Sequence, residues 1–335
     1  MSLPSLPRLP LALRASLCLG LAGVSGLARA AAPAVELAAP TIFSPGVVSG
    51  AADDGSPTFT PEEDLLLFSR SAPGWTVILE SHPEGAGWSE PAIAPFSGRW
   101  SDLQPAFAVD GSYLVFSSWR PVDGDMAGKA AGPASHLWRV SHSFTGWGHP
   151  VLLPDTVNLS PRVFKPTLAA NGDLYFMALA SGAKFRLYCA RNTGGALVPA
   201  EPLAFSDGTT GDVDPEIAPD GSFLVFSSNG RRAGDPDHEH LYVTFRTAAG
   251  WGPVLPVTFA GDDPRNPANE NEAHLSRDLR TLYFSSDRVK PTHLPRSLAQ
   301  AQRDLADLEA WNNGSANVWT SPLAPLRAQR PPAGS

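Results

Sequence analysis

The residues of this chain best suited to chemistry recur along it. Asp54, Asp102 and Asp212 each stand three positions before a proline, Glu270 stands three before Ala273, and Val163 holds the corresponding place before Pro166. Two positions later come Ser56, Gln104, Lys165, Asp214 and Glu272. Residues i and i+2 of an extended strand share a face, so symmetric copies of this segment would gather their carboxylates in one place. Carboxylates brought together repel unless a cation, a basic partner or a proton relieves them. Asp54, Asp102, Asp212, Asp214, Glu270 and Glu272 therefore form a candidate binding site for a cationic group of a ligand, or for a hard cation such as Ca²⁺. The same carboxylates could instead hold backbone N–H groups of a neighbouring segment and fix the assembly, with Lys165 neutralising part of the ring from within. A third possibility is glycoside hydrolysis by a pair drawn from Asp102, Asp212 and Glu270, since such carboxyl groups stand roughly 5 to 9 Å apart.

Other candidates carry less. His238 and His240 lie on one face of a strand beside Asp235 and Asp237 and could supply two ligands to a metal, although the sequence fixes no third histidine or cysteine near them. His274 falls inside a hairpin and reads as a packed residue, and Cys189 as a small buried apolar one. The sialidase-type Ser-x-Asp-x-Gly-x-x-Trp box, Gly-x-Ser-x-Gly, a Walker loop and His-Glu-x-x-His are all absent.

The elements that must position these residues are five copies of one pattern. A strand led by Pro (Ala273 in the last copy) meets a turn, and a second strand ends in Phe68, Phe116, Phe176, Phe226 or Phe284, about every fifty residues. Asp110-Gly111, Asn171-Gly172 and Asp220-Gly221 supply hairpin turns that tolerate positive φ. Glu62-Glu63 and Asp278-Leu279 require a different turn. The second strands, such as Tyr113–Phe116 and Phe223–Phe226, are apolar almost throughout, as strands buried on both faces are. A third strand follows in each copy, at 76–79, 136–140, 185–189, 240–245 and 317–320. Gly87-Trp88, Gly146-Trp147 and Gly250-Trp251 then mark a turn before a fourth. Four short strands repeated in this way describe the blades of a β-propeller.

The ends of the chain sharpen the reading. The last copy stops at Pro322-Leu323 without a fourth strand, whereas Leu37–Gly50 resembles the tail of a copy, with Pro40 where Pro91 stands. The N-terminal strand is thus expected to complete the fifth blade and close the ring. The expectation is an all-β, five-bladed propeller over 31–324 with a disordered Pro-rich tail at 325–335. Loops between second and third strands are lengthened at 120–135, 230–239 and 288–316, on the face where the inner strands begin. Leu298, Leu305 and Leu308 in the longest suit an amphipathic helix that could cap the channel; neutral loop growth is the alternative.

Composition agrees. The chain has 335 residues, 43% hydrophobic and 17% charged, which supports a large core and excludes wholesale disorder, while 34 Pro and 30 Gly exclude long helices. A net charge of −8 argues against general nucleic-acid binding. Arg8 and Arg14 precede an apolar run at 15–27, and Ala28-Arg29-Ala30 fits a signal-peptidase site. Residues 1–30 read as a signal peptide, with a membrane anchor as the alternative, although the run is short for a span. Cleavage leaves an exported, acidic chain whose lone Cys189 can form no internal disulfide. It would be a periplasmic or secreted monomer with no membrane insertion.

The segments QPAFAVDGSYLVFSS, DPEIAPDGSFLVFSS and NEAHLSRDLRTLYFSS resemble the TolB-type, WD-like propeller repeat of exported bacterial proteins, over the whole chain after residue 30. That resemblance implies a propeller serving as a binding platform, envelope adaptor or non-catalytic partner. It differs from TolB itself, which carries six blades and an extra N-terminal domain. The expected function is a non-catalytic module that offers an acidic, loop-rich face to a protein or peptide, with a cation in the channel as an added possibility and glycoside hydrolysis as the alternative.

Overall fold

Each copy of the repeat folds as an antiparallel sheet because its turns demand it. Gly111, Gly172 and Gly221 take φ of 73°, 82° and 71°, the left-handed conformation a tight hairpin needs and glycine adopts without strain. In the first and last copies Glu63 and Leu279 occupy that region instead, at 56° and 55°. This is how the two turns without glycine are built.

The fold is that of a computed structural model, which describes residues 34–122, 132–179 and 184–330. The expected signal peptide lies outside the described residues. Five blades form a propeller. Blade 1 runs from the inner strand Asp53–Phe59 through Leu66–Ala72 and Trp75–Ser81 to Ala92–Ile93. Blade 2 comprises Asp102–Phe107, Tyr113–Ser118, His136–Ser143 and Val151–Leu152. Blade 3 comprises Val163–Leu168, Leu174–Ala178, Arg186–Ala190 and Glu201–Pro202, and blade 4 comprises Gly211–Ile217, Phe223–Asn229, His240–Thr247 and Leu255–Phe259. In blade 5, Glu270–Leu275, Thr281–Ser286 and Asn317–Pro322 are completed by the N-terminal Thr41–Ile42, which pairs antiparallel with Asn317–Pro322. The ring closes as the sequence predicts. The same segment does more: Val35–Leu37 pairs in parallel with Leu255–Phe259, so one stretch of chain ties blade 4 to blade 5.

The core is a set of layers between blades. Leu67 and Ile78 meet Phe107, Phe116 and Trp138 across the first seam. Val115 and Leu137 meet Phe176 and Tyr188 across the second. Tyr175 and Met177 meet Phe226 and Tyr242, Phe223 and Val225 meet Leu282 and Phe284, and Phe68 meets Val318 across the remaining three. The second strands serve a seam on each face, which is why they carry no polar alternation. The five repeat phenylalanines have no exposed surface, and each stabilises the ring by about 1.5–3 kcal/mol.

Two expectations are corrected. The insertion does hold a helix, Leu298–Ala310, begun by a Ser297–Gln300 capping box. It buries none of its residues, and Leu298, Leu305 and Leu308 stay 76%, 54% and 51% exposed, so its apolar stripe does not pack onto the channel. The tail is not disordered from 325: Ala324–Ala328 is a short helix whose Leu326 is buried in the layer between blades 4 and 5. One leucine at the right position outweighs the Pro-rich composition around it.

Candidate functional site

Every inner strand breaks its pairing at the same point. The register slips between Gly55 and Thr58, Phe164 and Thr167, Val213 and Glu216, and Asn271 and His274, and opposite Val115–Ser117 in blade 2. At these bulges Ser56, Gln104, Lys165, Asp214 and Glu272 all adopt left-handed φ, between 48° and 55°. A bulge re-aims side chains and ends the simple alternation of a strand. The acidic positions predicted to share one mouth therefore separate into two sets with no common partner.

The first set is Asp54, Asp102, Asp212 and Glu270, all at most 3% exposed. Each meets an arginine of its own blade rather than another carboxylate. Arg70 donates to Asp54 at 2.6 Å, Arg120 to Asp102 at 2.7 Å, Arg231 to Asp212 through two nitrogens at 2.7 Å, and Arg288 to Glu270 at 2.7 Å. Each guanidinium also lies against the repeat phenylalanine, 4.8 to 5.5 Å from the rings of Phe68, Phe116, Phe226 and Phe284. It then reaches the linker arriving from the preceding blade, at the carbonyls of Val47, Phe96 and Phe205 or the carboxylate of Asp262. Burial outweighs the ion pair at Asp54, pushing its pKa up to about 6 against the pull of Arg70. It does the same at Glu270, up to about 7, and raises Asp102. Val163, buried and apolar, stands in this tier of blade 3.

The second set fills the channel. Gln104 Oε1 accepts from the backbone N–H of Lys165 at 2.9 Å, while Gln104 Nε2 donates to Glu272 Oε1 at 3.1 Å and to Asp214 Oδ1 at 3.5 Å. The Glu272 N–H donates to Asp214 Oδ2 at 3.3 Å, and Ser285 Oγ to Glu272 Oε2 at 3.1 Å. Lys165, 1% exposed, donates from Nζ to the Ala273 carbonyl at 3.3 Å. Burial first, then the charges of Glu272 and Glu239, raise Asp214 well above the carboxylate range. Glu239, which accepts from Asn271 at 3.1 Å, is raised chiefly by burial. Asp214, Glu239 and Glu272 are thus a carboxylate group without an arginine partner among the described residues. The sequence offers Asp214 and Glu272 for this group but gives no reason to place Glu239 beside them.

A third tier lies further along the inner strands. Thr58, Thr167 and Glu216 accept the backbone N–H groups of Phe107, Ile217 and Leu275 in the next blade, at 3.2, 3.4 and 3.1 Å. His274 Nδ1 lies 3.0 Å from Glu216 Oε1. Burial works against the Glu216 charge, but His274 brings the pKa below its ordinary value. With Phe59 and Tyr283 these residues line a cavity of about 70 Å³. No sequence pattern marks it, because it forms where five strands converge.

His238 Nδ1 and His240 Nε2 both meet Asp235, at 2.6 and 2.7 Å. Among the described residues no group of three or more His, Cys, Asp or Glu side chains is placed to hold a metal ion. Cys189 is half-buried and its thiol pushed up to about 11, chiefly by burial. No described helix is long and apolar enough to cross a membrane.

No family model and no curated protein matches the chain. Several solved structures are similar over part of the fold. TolB from Acinetobacter baumannii is similar at 12% identity and a TM-score of 0.45, with 81% of this chain and 54% of that one covered. The chain thus spans about half the length of that TolB. An α-L-arabinofuranosidase from Podospora anserina is similar at 10% identity and a TM-score of 0.48, covering 85% and 96%. A thermostable family-43 glycoside hydrolase is similar at 13% identity and a TM-score of 0.46, covering 73% and 86%. At these identities and TM-scores the likeness carries no statement about function.

Proposed function

We propose that the chain is an exported, non-catalytic binding module that receives a protein or peptide on its loop-rich face. The observation that carries this reading is the state of the channel. Four carboxylates are spent on arginines, and Gln104 and Lys165 occupy the space between the rest. A ring sealed by its own side chains is a rigid platform, and loops on such a platform carry recognition. The blade-5 insertion is the recognition element. Leu294, Leu298, Leu305 and Leu308 are each more than half exposed, and Leu305 and Leu308 border a groove of about 470 Å³ with Val289 and Lys290. Proteins seldom leave an apolar patch of this kind open without a partner.

Glycoside hydrolysis is the second reading, favoured by one observation: Asp214 and Glu272 are close enough to accept from one amide, and Asp214 has the raised pKa of a general acid. It requires Gln104 to yield its place to a sugar.

The test is a photo-crosslinking residue at Leu305, compared with one at Phe144 on a blade-2 hairpin tip, in the native cell. A discrete adduct from 305 and none from 144 supports the module. Hydrolysis of an arabinan or xylan panel by the purified chain, lost in Asp214→Asn, would overturn it.

A further inference from the structure

The blade-4 loop 230–239 meets blade 5 at its end, where Glu239 accepts the Glu270 N–H on its carbonyl at 2.8 Å and donates its own N–H to Asn269 Oδ1 at 3.1 Å; the body of the loop is tied in through His240. Asp235 accepts from two imidazoles, His238 Nδ1 of the loop at 2.6 Å and His240 Nε2 at the start of the following strand at 2.7 Å. On the other side of its ring, His240 Nδ1 faces Glu270 Oε2 at 4.0 Å across the seam between blades 4 and 5. His240 is 1% exposed and Glu270 3%, and neither of these two atoms has a hydrogen-bond partner. An ionised Asp235 can only accept, so His240 Nε2 carries a hydrogen. If Nδ1 is then bare, its lone pair confronts a carboxylate oxygen in a place closed to bulk water, which costs on both sides. One proton resolves the conflict, on either the imidazole or the carboxyl, once the two atoms close by about 1 Å to hydrogen-bonding distance.

We propose that His240 and Glu270 share a single proton, and that this proton latches the 230–239 loop of blade 4 to the inner strand of blade 5. The groups facing the pair are Asp235, His238 and Arg232 from the loop, Arg288 and Asp262 on the far side of Glu270, and Tyr242 with Asp212 and Arg231 beyond it. Arg288 donates to Glu270 Oε1 at 2.7 Å and to Asp262 at 3.4 Å, and Arg231 pairs with Asp212 at 2.7 Å, which leaves Glu270 Oε2 and His240 Nδ1 as the facing atoms between which a proton changes the balance. Burial raises Glu270 to about 7 and disfavours the charged form of His240. The latch is accordingly loaded below about pH 7 and empties above it.

The test is amide hydrogen exchange of the full chain at pH 6 and pH 8.5, corrected for the intrinsic rate. Protection across 230–240 should fall about tenfold at the higher pH while the blade-1 strands are unchanged. Glu270→Gln, whose carboxamide N–H donates to Nδ1 without any titrating proton, should keep its protection at both. Equal protection of the wild type at both pH values, or the same loss in the Gln variant, overturns the proposal. Should that variant fail to fold, ¹⁵N-histidine spectra of the wild type decide the matter, with His240 assigned from the signal missing in His240→Gln. An Nδ1 resonance moving with one midpoint near pH 7 supports the shared proton, and a bare Nδ1 that does not move overturns it.

Discussion

Gln104 in blade 2 donates its side-chain amide to Glu272 in blade 5 at 3.1 Å, joining two blades that are not neighbours straight across the channel. Blade 1, which lies between them, contributes Ser56, whose buried hydroxyl has no partner. The short serine leaves the space through which the longer side chain passes. Gln104→Glu adds a fourth carboxylate to the group of Asp214, Glu239 and Glu272 without changing size. Its melting temperature should fall several degrees below wild type at pH 8 and recover much of the difference at pH 5, where protonation removes the repulsion. An equal deficit at both pH values would show that charge is not the cause.

The Asp102–Arg120 pair, with side chains at most 4% exposed, should behave as a buried ion pair. Removing one partner strands the other: Asp102→Ala is expected to cost about 3–5 kcal/mol in urea denaturation. Replacing both, as Asp102→Leu with Arg120→Met, should restore most of that, since the charges offset their own desolvation poorly. A double variant as unstable as the single one would contradict this account of the arginine tier.

Asp54 gives the pH dependence a sign. Its pKa in the folded chain is about 6 against an ordinary 3.8, so the folded state keeps a proton that the unfolded chain releases. Its contribution is therefore present at low pH and is lost as pH rises through about 6, by up to roughly 3 kcal/mol. Between pH 5 and 7 the wild type should lose stability more steeply than Asp54→Asn. Parallel curves from chemical denaturation at several pH values would refute the assignment.

Gly55 is the one glycine at this place in the five inner strands, and a Cβ there would run into the Glu272 carboxylate and Ser285 Oγ. Gly55→Ala should destabilise by about 1–3 kcal/mol. Adding Glu272→Ser should cost less than the two changes do separately, because the clash with the carboxylate is then gone and Ser285 Oγ is free to turn away. Additive losses would mean that the close approach does not govern this position.

The architecture was legible because it repeats. The Phe positions, the Asp-Gly turns and the orphan strand before Gly50 recur or complete one another, and each maps directly onto a blade. The acidic positions were legible as a series but not as a site. Their reading assumed that residues two apart on a strand share a face, and the left-handed bulge at Ser56, Gln104, Lys165, Asp214 and Glu272 breaks that rule. No residue type announces the bulge, since glycine does not mark it. The arginine partners were visible as Arg70, Arg120, Arg231 and Arg288, two to five residues beyond four of the five repeat phenylalanines. The unequal offset hid them, because the loops after the second strands differ in length. The helix at 298–310 followed from leucine spacing, but spacing cannot say whether an apolar stripe faces the protein or its partner.

The central claim, that this ring is a sealed platform whose insertion does the binding, is tested most directly by adduct yield from the crosslinker at Leu305 in two variants. Asp214→Asn with Glu272→Gln should leave the yield at the wild-type level, and Leu308→Asp should reduce it at least tenfold. The reverse pattern, with the adduct lost on changing the channel and retained on changing the helix, would contradict the account and return the channel to the centre of function.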